Sequence, residues 1–248
     1  MTPKTEVIPL YEGTFSVGTD KIFHRINREE PARKGALRIA LNPFLIRHNG
    51  VAMLLDTGLG DFGAESHIPV TIENLQNHGA EPDDIRHIFL SHLHFDHIGG
   101  MATRENGFWE LVYPQATIYL SRKEWDKLHR IGIEEPDREQ YLQFLEVHAN
   151  LHFVDDGDSP LEGVRCTCIG GHTEFSLAWF FDFGEKHRYL NAGDVMNTKG
   201  ALSRKYAAKY DFDGKASQRK RDELIDYARQ HGYKILAYHD NRENIIEV

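Results

Sequence analysis

Apolar residues along the chain fall in short, dense runs separated by polar turns. Glu6–Leu10, Leu37–Leu41, Phe44–Arg47 and Val51–Leu55 read as strands, the last running into the turn signal Asp56-Thr57-Gly58. Ile72, Leu75 and Gln76 then recur at helical spacing, and Gly79 closes that helix. Ile85–Leu90 and Thr117–Leu120 are short apolar strands. Ser121-x-x-Glu124 forms a capping box ahead of Trp125 and Leu128, and Asp137-x-x-Gln140 opens a second helix with Tyr141, Phe144 and Leu145 on one face. Leu151–Val154, Val164–Ile169, Phe175–Phe183 and Arg188–Asn191 predict four more strands. Ser217 is expected to cap a last helix carrying Leu224, Ile225 and Ala228, which Gly232 stops, and Lys234–Tyr238 is the final strand. The charged stretch Ser16–Lys34 reads as a long surface loop, either a solvated excursion or the border of a substrate cleft.

Strands dominate both halves with helices interspersed. That predicts an α+β protein with two sheets packed face to face and helices outside. No internal repeat, low-complexity tract or Pro/Gly/Ser-rich linker divides the chain, so residues 1–248 are expected to form one domain. Composition narrows the partners. With 29 Lys+Arg against 38 Asp+Glu the net charge is −9, opposite in sign to a nucleic-acid groove. The longest apolar runs, Val51–Leu55 and Leu177–Phe181, are too short to span a membrane. Met1-Thr-Pro-Lys-Thr-Glu lacks the pattern of a signal peptide, which predicts a cytoplasmic protein. Cys166 and Cys168, two apart in a strand, point the same way, are poorly placed to bond each other and read as core thiols.

Histidine is the unusual residue, at fifteen. The decisive run is Ser91-His92-Leu93-His94-Phe95-Asp96-His97-Ile98-Gly99-Gly100, which follows the strand Ile85–Leu90. His92 and His94, two apart in extended chain, project to one side and suit one cation. Asp96 and His97 come as the chain turns and suit a second cation beside it, while Gly99-Gly100 frees the backbone to turn sharply. Burying so many polar rings unpaired would cost several kcal/mol, so a metal site explains the run better than a structural cluster. Nitrogen and oxygen donors of this kind fit zinc, iron, cobalt or manganese.

The run resembles the metallo-β-lactamase superfamily, whose His-x-His-x-Asp-His signature stands at 92–97 without a substitution. The resemblance extends over about residues 40 to 240. Gly171-His172-Thr173, Gly193-Asp194 and Ala237-Tyr238-His239-Asp240 match the family's later ligand turns, each just past a predicted strand. It implies an αββα sandwich with two divalent metal ions, zinc first, at one edge between the sheets. One metal would take His92, His94 and His172; the other would take Asp96, His97 and His239; Asp194 would bridge them. Asp56 matches a further family position, where it either hydrogen-bonds a ligand histidine or simply makes its own turn. The remaining ten histidines match no ligand position, and His67 is singled out only because its loop is expected near the cleft.

The implied reaction is hydrolysis of a small-molecule ester or lactone by a bridging hydroxide, with Asp96 or a metal-held water protonating the leaving group. His94 argues against the flavodiiron oxidoreductases, which carry Glu there, and the bridging Asp194 with His97 argues against lactamases with a Cys ligand. A glyoxalase II would need a C-terminal helical region, and the chain ends nine residues after His239. The Ser91–Gly100 run, the Tyr210-Asp211-Phe212-Asp213 segment ahead of Ser217-x-x-x-Arg221, and the closing Tyr238-His239-Asp240 are most similar to the acyl-homoserine-lactone lactonases and related organophosphate hydrolases. Two departures bear on substrate. Asn197 stands where many of these lactonases carry a substrate-holding Tyr, and Glu174-Phe175 replaces their Pro-Gly. Asn197 is thus the substrate-binding candidate, and phosphotriesters, aryl esters and thioesters are the alternative substrates. A silent metal-binding scaffold or a di-iron redox protein are the non-hydrolytic alternatives. Met196–Tyr210, with Lys199, Arg204, Lys205 and Lys209, reads as a cleft-side segment or a solvated basic face; Phe23, Phe62 and Phe108 are candidate pocket aromatics. Related enzymes are often dimers, so a homodimer is the implied assembly.

Overall fold

The computed structural model describes residues 4–105, 107–131, 136–205 and 208–248. Its strands are β1 (Thr5–Pro9), β2 (Gly13–Val17), β3 (Phe23–Ile26), β4 (Leu37–Leu41), β5 (Phe44–His48), β6 (Val51–Leu55), β7 (Ile85–Phe89), β8 (Ala102–Glu105), β9 (Phe108–Leu111) and β10 (Thr117–Ser121). They continue as β11 (Asn150–Val154), β12 (Val164–Cys168), β13 (Leu177–Asp182), β14 (Arg188–Asn191), β15 (Lys234–Leu236) and β16 (Ile245–Ile246). The helices are α1 (Ile68–Asn77), α2 (Phe95–Ile98), α3 (Arg122–Ile131), α4 (Pro136–His148), α5 (Lys199–Leu202) and α6 (Gly214–His231).

Two mixed sheets carry the architecture, one ordered β1-β5-β6-β7-β10-β11 and the other β12-β13-β14-β15-β16. The β5–β6 hairpin closes on Asn49 and Gly50 with φ of 50° and 83°, a two-residue turn whose twist suits antiparallel strands. β6 and β13 lie inside their sheets, buried on both faces, which is why their sequences run apolar without alternation.

Alternating side chains divide the core into three layers. Phe44, Ile46, Met53 and Phe89 of the first sheet meet Cys166, Trp179, Phe181 and Leu236 of the second, so the sheets pack face to face. The outer face of the first sheet (Leu45, Leu54, Ile88, Leu120) is covered by Leu75 of α1, Trp125 of α3 and Tyr141, Leu142 and Leu145 of α4. Ala178, Phe180, Leu190 and Ile235 on the outer face of the second are covered by Leu224, Ile225 and Ala228 of α6. This is the expected αββα order. Among the described residues no helix is long and apolar enough to cross a membrane.

Several local expectations need correcting. Ser16–Lys34 is not all loop: Phe23–Ile26 pairs antiparallel with Gly13–Val17, which also pairs with Leu37–Leu41 to make a small third sheet. β3 gives little signal because polar His24 and Arg25 sit on an edge strand with little to bury, and β2 because Gly13, Thr14 and Ser16 interrupt its apolar pattern. The β8–β9 hairpin and β16 were likewise too short for a periodic signal. Ser217 does not cap the last helix; Asp213 does, its Oδ1 accepting from the N–H groups of Lys215 (3.1 Å) and Ala216 (2.9 Å). Ser217 is instead fully buried against the Gly171 turn, where a Cβ on Gly171 would lie 2.7 Å from the Ser217 Cα. Gly171 also has φ of 90°, so both its conformation and its neighbour exclude a side chain.

Gly99 and Gly100 serve close approach rather than a sharp turn. Gly99 has a helical φ of −60°. Added Cβ atoms would lie 2.1 Å from the Leu59 carbonyl oxygen and 2.0 Å from that of Thr57. The two glycines let the Asp56–Gly60 loop lie directly on the end of the His92–His97 segment.

Candidate metal centre

The candidate residues come from loops at one edge of the sandwich. Asp56 follows β6, the 92–97 segment follows β7, His172 follows β12, Asp194 follows β14 and His239 follows β15. The edges are tied together: the Leu177 N–H donates to the Ser91 carbonyl at 2.8 Å, and the Trp179 Nε1–H donates to that of Leu90 at 2.9 Å.

All seven proposed ligands converge. His94 Nδ1 lies 3.0 Å from His92 Nε2 and 3.1 Å from His172 Nε2. Asp96 Oδ2 lies 3.7 Å from His97 Nε2 and 3.6 Å from His239 Nε2. Asp194 stands between the two sets, with Oδ2 3.4 Å from His172 Nε2 and Oδ1 3.5 Å from His97 Nε2 and 3.0 Å from His239 Nε2. Three groups, His92/His94/His172, His92/His97/Asp194 and Asp96/His97/His239, each keep one donor atom per residue within 4.8 Å of the others. The buried His97 Nε2 and Asp194 Oδ1 have no hydrogen-bond partner, and an ion would satisfy both. Histidine and carboxylate donors so arranged fit two divalent cations of the zinc, iron, cobalt or manganese type.

The backbone and neighbouring side chains hold each ring by its other nitrogen. His97 Nδ1 donates to Asp56 Oδ2 at 2.9 Å, His172 Nδ1 to Asp211 Oδ1 at 3.0 Å, and His239 Nδ1 to the Ala40 carbonyl at 2.8 Å. Ser91 Oγ donates to Asp56 Oδ2 (2.9 Å) and lies 3.0 Å from His92 Nδ1, which assigns that nitrogen the proton. The Nε2 atoms of these four rings are thereby left facing the centre, the tautomer a metal ligand needs. Asp56 does more than turn the chain. Its φ of 55° is left-handed, which an Asp tolerates, and its Oδ1 also accepts from the Ser91 N–H at 2.8 Å. Tyr238 stacks on His97 with centroids 4.2 Å apart and donates its hydroxyl to the Asp96 carbonyl at 2.6 Å.

Electrostatics split the rings. Burial, reinforced by neighbouring imidazoles, holds His92 well below its ordinary range and His94 down to about 4, so both are neutral near pH 7. Burial also opposes charge on His97 and His239, but Asp56 and Asp96 outweigh it for the first and Asp194 and Asp96 for the second, raising both. His239 and His172 overcome the burial of Asp194 and keep it well below the carboxylate range.

Other candidates sort less evenly. Asn197 is buried three residues after Asp194; its carbonyl accepts from the His239 N–H at 2.8 Å and its Oδ1 has no hydrogen-bond partner. His67 is buried edge-on against Phe15 at 5.1 Å, with neither ring nitrogen partnered. Lys199 pairs with Glu243 and Lys205 with Asp222, as a solvated basic face would; residues 206 and 207 lie outside the described residues. Phe62 packs on Phe95 (4.2 Å) and Phe23 on Phe15 (5.8 Å), whereas Phe108 is exposed. Asp211, Ala40 and Ser91 were not singled out from sequence. The Tyr210–Asp213 run carries a resemblance but no role in the sequence alone, and a backbone carbonyl such as Ala40 leaves no side-chain signal.

Glu12 was also missed. It is buried, and both carboxylate oxygens lie 3.1 Å from the Leu59 N–H, on the loop that carries Asp56. Burial pushes it up to about 8 from an ordinary 4.5; the Leu59 and Gly60 N–H groups and Arg25 pull it down, and Asp96 pushes it up. A raised carboxyl contributes stability that is intact below about pH 4.5 and is lost as pH climbs through about 8. Glu12→Gln keeps an acceptor for Leu59 and removes the titration. Metal-free Glu12→Gln is therefore expected to gain on the native protein between pH 5 and pH 9 by about 3 kcal/mol, given ~1.4 kcal/mol per pKa unit and some relaxation. Denaturant unfolding at the two pH values measures it; parallel pH profiles would rule the account out.

A family model described as the metallo-beta-lactamase superfamily matches residues 40–165, half of the chain. An N-acyl homoserine lactonase of Bacillus thuringiensis is 29% identical over 127 residues, which is 50% of this chain and 44% of that protein. The chain spans about half the length of the curated relatives it matches. Among solved structures, a probable metal-dependent hydrolase from Staphylococcus aureus superposes with a TM-score of 0.75 at 19% identity, covering 98% of this chain and 97% of that one. The dizinc quorum-quenching lactonase AidC, solved with a product, superposes with a TM-score of 0.76 at 21% identity, covering 98% and 90%. At these identities the structural likeness speaks for the fold. Taken with the match across half of the sequence, it means that the chain belongs to the metallo-β-lactamase superfamily.

Proposed function

We propose that this protein is a dinuclear metal-dependent hydrolase of lactones or esters, with N-acyl homoserine lactones the first substrates to try. The observation that carries the reading is Asp194, one carboxylate facing His172 through Oδ2 and His97 and His239 through Oδ1. His92, His94 and His172 would hold one cation, Asp96, His97 and His239 the other, and Asp194 both. Two bound cations, zinc first and iron, cobalt or manganese by the same donors, would supply Lewis acidity toward the carbonyl and a water acidic enough to react near neutral pH.

The chain's own residues do the rest. The neutral His92 and His94 are ready as donors without losing a proton. Asp56, Asp211 and the Ala40 carbonyl keep protons on Nδ1 of His97, His172 and His239, so the rings stay aimed. With Asp194 committed to both histidine sets, Asp96, its side chain 13% exposed, is the carboxyl left to hand a proton to a leaving alkoxide. Asn197 would offer its amide to the substrate carbonyl. It is shorter than the Tyr of many lactonases and far less acidic, which favours phosphotriesters, aryl esters and thioesters as a second reading. The shared apolar layer between the sheets supports reading residues 1–248 as one domain.

The test is ring opening of an N-acyl homoserine lactone by metal-loaded protein beside a chelated sample. Chelator-sensitive turnover is the expected result. Turnover that survives chelation would defeat the metal mechanism, and metal-dependent turnover of aryl esters or phosphotriesters alone would move the substrate to the second reading.

A further inference from the structure

Ser121-x-x-Glu124 opens α3 as a capping box should, yet only half of the box closes. Ser121 Oγ accepts from the Glu124 N–H at 3.3 Å, but the Glu124 carboxylate does not return to the helix end. Its Oε1 accepts from the Leu93 N–H at 3.4 Å, between His92 and His94. Its Oε2 is buried without a hydrogen-bond partner among the described residues; the Thr173 hydroxyl, next to His172, is near enough to draw the carboxyl down but pairs with Ser176 Oγ at 2.6 Å. Glu124 is 6% exposed, so its carboxylate sits against the two loops, shielded from water. One turn further along α3, Lys127 pairs with Glu174, again on the His172 loop. The N-terminal turns of one helix thus grip both chain segments that carry the three-histidine set.

We propose that Glu124 is a positioning residue, a tie between the His92–His94 segment and the His172 turn that sets the affinity of the three-histidine metal site and leaves the Asp96/His97/His239 site alone. The inference rests on the dinuclear reading above. Glu124 touches neither metal nor substrate. It fixes the spacing of His92 and His94 against His172, and groups that orient ligands in this way typically change metal affinity by about 10–100-fold.

The experiment is titration of metal-free protein with Co²⁺ or Zn²⁺, followed by absorbance and calorimetry and resolved into two binding steps. His94→Ala and His239→Ala assign one step to each site. In Glu124→Ala the step lost in His94→Ala is expected to weaken by about 10–100-fold, while the other step stays within about twofold. Glu124→Gln keeps an acceptor for Leu93 and is expected to stay within a few-fold of the native protein. Glu124→Asp, whose carboxylate is one methylene short of both loops, is expected to behave like the alanine variant and serves in its place if that variant does not fold. Equal weakening of both steps, or unchanged binding in both the Asp and Ala variants, would overturn the proposal. If the native protein itself binds fewer than two ions, the dinuclear reading fails and takes this inference with it.

Discussion

Asp194→Ala is expected to lose metal and turnover together. Among the described residues Asp194 is the carboxylate in ion-pair reach of both histidine sets, whereas Asp96 reaches His97 at 3.7 Å and His239 at 3.6 Å. Without Asp194 each set keeps three protein donors but shares none, so at least one of the two ions should be lost on dialysis. Turnover should fall by about a thousandfold, the scale at which a single electrostatic group in an active site acts. Asp194→Asn separates charge from shape: it retains an oxygen donor and should bind metal more weakly than the native protein but better than the alanine variant. Metal analysis and steady-state kinetics on the same preparations check both parts. Full turnover in Asp194→Ala would refute its shared role.

The largest stability loss is expected at Asp56. Its carboxylate accepts from the Ser91 N–H, the Ser91 hydroxyl and His97 Nδ1, and all three contacts are buried. Asp56→Ala strips the partner from a buried ring that neighbouring carboxylates hold toward its charged form, a change that typically costs about 3–5 kcal/mol. It also places alanine at φ of 55°, which adds about 1 kcal/mol of strain. For a protein of this size the midpoint of thermal unfolding should drop by about 10 °C or more. Asp56→Asn tolerates the left-handed backbone and keeps one acceptor, so its loss should be clearly smaller. Thermal melts of the metal-free proteins make the comparison. Equal stability of Asp56→Ala and the native chain would mean that Asp56 only shapes its own turn.

Legibility in the sequence followed how directly a role is written in side-chain type. The His92–His97 run, His172, Asp194 and His239 were readable because each couples a chelating residue to the end of an apolar strand, and the structure brings all seven together. The sandwich itself was readable from continuous apolar strands such as Val51–Leu55 and Leu177–Phe181, which only a doubly covered sheet can bury. What failed had a competing local cause. Asp213 and Ser217 are both good caps, and only the close fit of Ser217 beneath Gly171 decides between them. Glu124 fits a capping box by spacing, but the approach of Leu93 from the loop after β7 redirects its carboxylate. Glu12 looks like an ordinary surface residue until the Asp56–Gly60 loop folds over it.

The central claim is that two cations occupy this edge of the sandwich, with Asp194 between them. Counting metal tests it most directly: strip the protein with chelator, reload it with Zn²⁺, remove the excess and measure zinc per chain by mass spectrometry. The account expects two ions per chain in the native protein and fewer in Asp194→Ala. One ion or none in the native protein, or two retained without Asp194, would contradict it.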